Sequence, residues 1–172
     1  NAEVKLPAFF SDGMVMQQQT RANLWGTATP NAPVKITTSW DKQTYKTTAD
    51  AKGAWKLALS TPSAGGPYTI TFDDGKLTEI RDILMGELWL CSGQSNMEMP
   101  MKGFKNQPVE NSNTDVMNSR NPQLRLFTVK RTSSFTPKTD VVGTWQEAVP
   151  ATVREFSATA YYFGRMIQQQ LN

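Results

Sequence analysis

Between Glu3 and Phe72 short apolar or alternating runs are separated by clusters of turn-forming residues. Residues 23–26, 34–38, 44–48, 54–59 and 68–72 each read as a strand, and the Gly, Pro, Asn and Asp residues of 29–33, 50–53 and 63–67 supply the turns between them. In the fourth run Trp55, Leu57 and Leu59 fall on one face and Lys56 and Ala58 on the other, the pattern of a strand with one side on a core and one in water. Strands at this spacing predict an antiparallel β-sandwich over residues 1–82.

After Asp82 the pattern changes. Residues 83–91 are mostly apolar without strict alternation, which predicts a strand covered on both faces, as in a parallel α/β sheet. Residues 100–122 are polar and aperiodic and read as a long loop with a short helix around 115–119, followed by a second strand at 124–129. Phe156, Ala160, Phe163, Ile167 and Leu171 recur at spacings of 4, 3, 4 and 4, so they share one face of a helix. Thr152 with Glu155 fits a capping box at its start. The expected fold class is therefore mixed: a β-sandwich followed, over residues 83–172, by the first strands and helix of an incomplete α/β domain. An apolar strand of this kind exposes a face unless further strands and helices cover it, so more polypeptide is expected beyond Asn172.

Composition narrows the chemistry. The 172 residues contain no histidine, which removes the commonest general base near neutral pH and the commonest metal ligand; a complete Ser-His-Asp or Cys-His site cannot lie within them. Cys91 is the only cysteine, so no intrachain disulfide and no thiolate cage for zinc is expected, and no cofactor or metal is assigned. Lys and Arg number 18 against 15 Asp and Glu, a net charge of +3 spread along the chain, which gives no nucleic-acid footprint. No run of apolar residues is long enough for a membrane span. The chain opens at Asn1 without a basic and apolar leader, so any export signal is expected to have been removed or never to have existed.

Ser95 follows the apolar run and is preceded by Gly93. A hydroxyl there can project from the carboxyl end of a strand, where open α/β sheets bind ligands, and its own amide can point at a developing oxyanion. The competing structural reading is a Ser-Gly turn and nothing more.

The thirteen-residue block from Gly86 to Glu98, GELWLCSGQSNME, closely resembles the nucleophile block of the sialate O-acetylesterases, a branch of the SGNH hydrolase superfamily. The runs FSDGMVMQQ at 10–18 and GAW at 53–55 resemble that family's amino-terminal β-sandwich, and FSATAYYFGR at 156–165 resembles its first long helix. The resemblance implies an SGNH-like, flavodoxin-like hydrolase domain in the second half. It makes Ser95 the nucleophile with its amide an oxyanion donor, Gly93 the residue that permits the tight turn, and Gln94 and Asn96 candidates for shaping the pocket. The family's other oxyanion donors and its Asp-x-x-His pair have no matching positions here, so the carboxyl-terminal remainder of the enzyme is the expected partner, with an acetylated sugar, sialic acid or a related glycan, as substrate. The implied reaction is two-step acyl transfer from an acetyl ester. This chain alone is expected to be inactive for want of a base. A periplasmic or secreted location follows from the same likeness.

Several other residues are weighed against structural roles. Glu87 is either near the site or paired with Arg81 or Lys102; Cys91 reads as a buried, inert thiol. Met97, Met99 and Met101 either line an adaptable pocket or pack the loop. Glu98 seats the loop, and Asp73 and Asp74 make a turn before Gly75. The alternative to an enzyme is a carbohydrate-binding module in which Trp25, Trp40 or Trp55 stacks on sugar rings, or a purely structural β domain.

Overall fold

The computed structural model describes residues 3–171. The chain divides into two compact units, Asn1–Leu88 with Val129–Thr144, and Trp89–Thr128 with Trp145–Asn172.

The first unit contains β1 (Val15–Gln17), β2 (Arg21–Thr27), β3 (Pro33–Thr38), β4 (Thr44–Thr48), β5 (Ala54–Ser60), β6 (Gly65–Asp73) and β7 (Leu77–Gly86). Five form a sheet in the order β1-β7-β6-β3-β4, and β2 pairs with β5 in a second sheet. All pairings are antiparallel except β1 with β7, which is parallel. Alternation decides what is buried: Val34, Ile36 and Thr38 of β3 point inward while Pro33, Lys35 and Thr37 face water. Trp55 and Leu59 of β5 are buried, as is Leu24 of β2, which pairs with Leu57 between them. The Trp55 and Phe72 rings lie 5.8 Å apart, so β5 and β6 meet through these two side chains.

Two expectations need correction here. Residues 83–91 are not one strand: β7 runs through the boundary expected at residue 82 and stops at Gly86. The lost alternation that suggested burial on both faces has a different cause. Tyr68 pairs with Ile83 and Ile70 with Ile80, so β7 carries one more residue than β6 between these pairs, and Asp82 within that stretch has φ 55°. This is a β-bulge, which shifts the inward phase from Ile80 to Ile83 and Met85. The loop before β1 grips it, with Arg81 N–H donating to Asp12 Oδ1 at 2.8 Å and Gly13 N–H donating to the Arg81 carbonyl at 3.1 Å.

Residues 129–144 pack on this first unit: Trp25 Nε1 donates to the Thr139 carbonyl (2.9 Å) and Ala8 N–H to Asp140 Oδ1 (2.8 Å).

The second unit holds α1 (Ser112–Met117), β8 (Asn121–Phe127), β9 (Trp145–Ala148), α2 (Pro150–Val153) and α3 (Ala158–Leu171). The second expected strand is present as β8, but it pairs antiparallel with β9 rather than in a parallel sheet. Its core gathers Met101, Leu126, Ala148, Val153, Ala158 and Tyr161. The expected capping box at Thr152 and Glu155 does not start the long helix. The Thr152 hydroxyl instead accepts from Val149 N–H (3.1 Å) and donates to the Glu147 carbonyl (2.6 Å), closing the short α2. The cap of α3 is Ser157, whose Oγ accepts from Ala160 N–H at 3.3 Å.

The inward face of α3 is also rotated from the expected stripe. Ala158, Ala160 and Tyr161 are buried, Phe163 and Ile167 are half-buried and Leu171 is exposed. Asp115 pins α1 to α3, accepting from Tyr162 Oη (2.7 Å) and Arg165 Nη1 (2.8 Å), while the Arg165 guanidinium lies over the Tyr161 and Tyr162 rings.

Candidate active site

The approach to Ser95 is an exposed segment outside any helix or strand. Beyond β7 the chain is latched by two glutamines of β1 and its exit. Gln17 Nε2 and Gln18 Nε2 donate to the two Glu87 carboxylate oxygens at 3.1 and 2.8 Å, and Leu88 N–H donates to Gln17 Oε1 at 2.9 Å. These bonds, the Gln18 one foremost, hold the Glu87 carboxyl below its ordinary range. Glu87 thus pairs with neither expected cation: Arg81 is bonded to Glu79, and Lys102 lies 2.6 Å from Glu155.

Leu88, Trp89 and Leu90 are exposed, Leu90 at 89%, and Cys91 is an exposed thiol rather than the buried one expected. Trp89 makes one aromatic contact, edge-on to Phe163 of α3 with ring centroids 5.1 Å apart.

Ser95 opens a single 3-10 turn, Ser95–Met97. Gln94 before it is extended, at φ −126° and ψ 178°, and Ser95 itself has φ 53°. A left-handed φ at a residue with a Cβ costs about 1–2 kcal/mol. Met97 N–H closes the turn on the Gln94 carbonyl (3.1 Å), and Glu98 N–H closes it on the Ser95 carbonyl (3.0 Å). Gly93 has φ 154°, and a Cβ there would stand 3.3 Å from Met97 Cβ, so this position is suited to glycine on both backbone and steric grounds. Gly93, Gln94, Ser95 and Asn96 are all exposed and contiguous, so the four residues singled out from sequence occupy one surface turn.

The chain after the turn is fastened to the start of α3. Ala158 N–H donates to the Met99 carbonyl (2.8 Å), Met101 N–H to Phe156 (2.9 Å) and Lys102 N–H to Arg154 (3.0 Å). Met101 is fully buried in the core of this unit, which is the packing role rather than the pocket role for that residue. Two side chains of the same region reach the turn: the Thr159 hydroxyl donates to the Asn96 carbonyl at 3.1 Å, and the Ser157 hydroxyl lies 3.7 Å from Met97 Sδ. Sequence reasoning missed Thr159 and Ser157 as parts of this site, because sixty or more positions separate each from its partner.

The remaining candidates fall elsewhere. Asp73 Oδ1 accepts from Gly75 N–H (2.8 Å) within its own turn, whereas Asp74 Oδ2 accepts from the Thr29 amide and hydroxyl (3.0 and 2.9 Å) and ties that turn to the loop at Thr29. Trp55 is 4% exposed. Trp25 stands edge-on to Phe10 with centroids 4.6 Å apart, and Trp40 edge-on to Tyr68 at 5.7 Å; both are half-buried. The Trp40 indole N–H donates to the Ser60 carbonyl at 3.2 Å. Among the described residues no group of three or more Asp, Glu or Cys side chains is placed to hold a metal ion, and no helix is long and apolar enough to cross a membrane.

No family model matches the chain. It is 29% identical over 97% of its length to the rat (Rattus norvegicus) sialate O-acetylesterase and 28% identical over 97% to the human one. Among solved structures it superposes on a carbohydrate acetylesterase from Xanthomonas citri with a TM-score of 0.90 and 33% identity, covering 98% of this chain and 38% of that one. The chain spans about a third of the length of these relatives. The likeness to sialate O-acetylesterases thus runs along almost the whole chain, and the mixed α/β architecture is shared with the bacterial acetylesterase.

Proposed function

We propose that this chain is the amino-terminal part of a carbohydrate esterase that removes O-acetyl groups, from sialic acids in the first instance, with Ser95 as nucleophile. The observation that carries the reading is the turn: an exposed serine at φ 53° that opens a 3-10 turn two residues after a glycine. A protein keeps a strained hydroxyl-bearing residue where its direction matters.

In the proposed reaction Ser95 Oγ attacks the acetyl carbonyl carbon and gives its proton to a base. The carbonyl oxygen becomes an oxyanion facing the Ser95 amide, and collapse breaks the C–O bond to the sugar, which leaves with the proton as its free hydroxyl. Water then attacks the acetyl-serine, frees acetate and restores the hydroxyl. Gly93 allows the turn, and Gln94 and Asn96 flank the hydroxyl where a substrate would rest. The base is the part this chain does not hold, since it has no histidine. The carboxyl-terminal remainder of the enzyme supplies the base and further oxyanion donors. It also lays strands and helices beside the exposed Trp89 and Leu90 to complete a flavodoxin-like sheet, with the first unit serving as a β-sandwich support. A periplasmic or secreted location suits an enzyme acting on glycans.

Two assays test this. The 172-residue chain should hydrolyse p-nitrophenyl acetate no faster than buffer; hydrolysis abolished by Ser95→Ala would overturn the dependence on a missing base. Joined to the carboxyl-terminal portion of the Xanthomonas citri acetylesterase in place of that enzyme's matching residues, the chain should release acetate from an acetylated sugar, and Ser95→Ala should remove that activity. Activity surviving Ser95→Ala would refute the assignment of the nucleophile.

A further inference from the structure

The hydroxyl proposed to attack substrate sits on a turn with few restraints of its own. On one side the incoming segment, Leu88 to Gly93, is exposed and belongs to no helix or strand. On the other side the first backbone anchor to α3 is at Met99, four residues beyond Ser95. Between these limits the side-chain bond nearest Ser95 that fixes the turn from outside comes from Thr159, whose Oγ1 donates to the Asn96 carbonyl at 3.1 Å. That carbonyl belongs to the peptide immediately after the Ser95–Asn96 unit. Holding it fixes the plane against which the left-handed Ser95 would otherwise relax, and relaxation is favoured because the left-handed conformation is the costly one. Thr159 is itself the second residue of a 14-residue helix, on a backbone made rigid by the Ser157 cap and by the buried Ala158, Ala160 and Tyr161.

Its neighbours on the same stretch act farther from Ser95: Ser157 caps α3 and reaches the turn only at the Met97 sulfur, 3.7 Å away, and Ala158 N–H is committed to the Met99 carbonyl. Thr159 is exposed and adds little to the core, so its hydroxyl has one structural partner, and that partner is in the nucleophile turn.

We propose that Thr159 is a positioning residue that holds the Ser95 turn in its left-handed conformation through the Asn96 carbonyl. The assignment rests on Ser95 being the nucleophile, but the hydrogen bond and its effect on the turn can be tested without it. Thr159→Val removes the hydroxyl and keeps the β-branched shape, whereas Thr159→Ser keeps the hydroxyl.

In the 172-residue chain, Thr159→Val should speed hydrogen exchange at the Met97 and Glu98 amides about tenfold, the loss expected for one ordinary hydrogen bond. The Ser95 amide and Cα chemical shifts should move away from their left-handed values, and exchange in the last turns of α3 should stay unchanged. Thr159→Ser should restore both signals. In the hybrid enzyme described above the valine variant should lower kcat about 10- to 100-fold with KM unchanged, as for a misplaced attacking atom, and serine should restore it. Unchanged exchange and shifts in Thr159→Val, or a loss that serine fails to restore, would overturn the proposal. A hybrid with native Thr159 that shows no Ser95-dependent activity would count against the esterase reading instead, and the exchange and shift measurements would still decide the tether.

Discussion

Replacing Asp115 with Asn separates charge from shape at the pin between α1 and α3. In the native chain both oxygens of Asp115 accept hydrogen bonds, one from Tyr162 and one from Arg165. The amide of Asn accepts one of these and turns an N–H₂ toward the other donor, so one charge-assisted bond is lost and the second is weakened. Such bonds are worth about 1.5–3 kcal/mol each when well shielded. The side chains of Arg165 and Asp115 here are 33% and 25% exposed, so water makes good part of the loss. The expected destabilisation is about 1–2 kcal/mol, read as a lower urea midpoint at unchanged slope.

The pH dependence is a sharper check. The Arg165 bond, and after it the Tyr162 bond, hold the Asp115 carboxyl below its ordinary range. As pH falls below about 4, the unfolded chain therefore takes up this proton before the folded one, and stability declines. The gap between native protein and Asp115→Asn should be constant near neutrality and close as pH falls through the depressed value. At the alkaline end, burial first and the Asp115 bond second push the Tyr162 phenol up to about 12. The unfolded chain then loses its phenolic proton near pH 10 while the folded one keeps it, so stability should also fall as pH rises from there toward 12. Tyrosinate absorbance and urea melts across both ranges read these effects. Equal stability of the two proteins at pH 7, or a gap that persists undiminished at pH 2, would refute the account.

Other substitutions probe the packing within each unit and the Ser95 turn. Gly53→Ala places a Cβ 2.5 Å from the Ala28 carbonyl oxygen at a residue with φ 85°, and should destabilise the first unit by at least about 2 kcal/mol in a denaturant melt. Phe72→Ala, at a fully buried ring against Trp55, should cost about 3–5 kcal/mol in a denaturant melt, and an unchanged midpoint would contradict the packing described. Ser157→Ala should cost about 1 kcal/mol through loss of the α3 cap, seen as faster amide exchange in its first turn. Ser95→Gly should be more stable than Ser95→Ala by about 1 kcal/mol, because glycine adopts the left-handed φ without strain; the reverse order would contradict the geometry of the turn.

Much of the first unit was legible because its signals are local. Turn residues at 29–33, 50–53 and 63–67 bound the runs, and Trp55, Leu57 and Leu59 show their face by simple alternation. The bulge near Asp82 broke that alternation, and a run of apolar residues with no phase looked like a strand buried on both sides. The short β1 escaped notice because three residues carry no period, and its identity depends on pairing with β7 some seventy positions away. Thr152 and Glu155 matched a capping pattern, yet the Thr152 hydroxyl is drawn to the Glu147 carbonyl, and the helix begins five residues later. For the site, Gly93 and Ser95 could be picked out as a turn because a glycine close to a serine after an apolar run leaves a local trace. The Thr159 bond leaves none, since nothing in a threonine at a helix start names the carbonyl it will meet.

The allocation of residues 129–144 to the first unit has a topological consequence. The polypeptide passes between units at three places, 88/89, 128/129 and 144/145, so neither unit is a continuous stretch. A protease that nicks the exposed Leu88–Leu90 run would therefore cut the first unit in two, leaving residues 129–144 covalently attached to the second unit, and the same layout means that a truncation at residue 88 would strip Trp25 and Ala8 of the Thr139 and Asp140 partners that arrive from downstream.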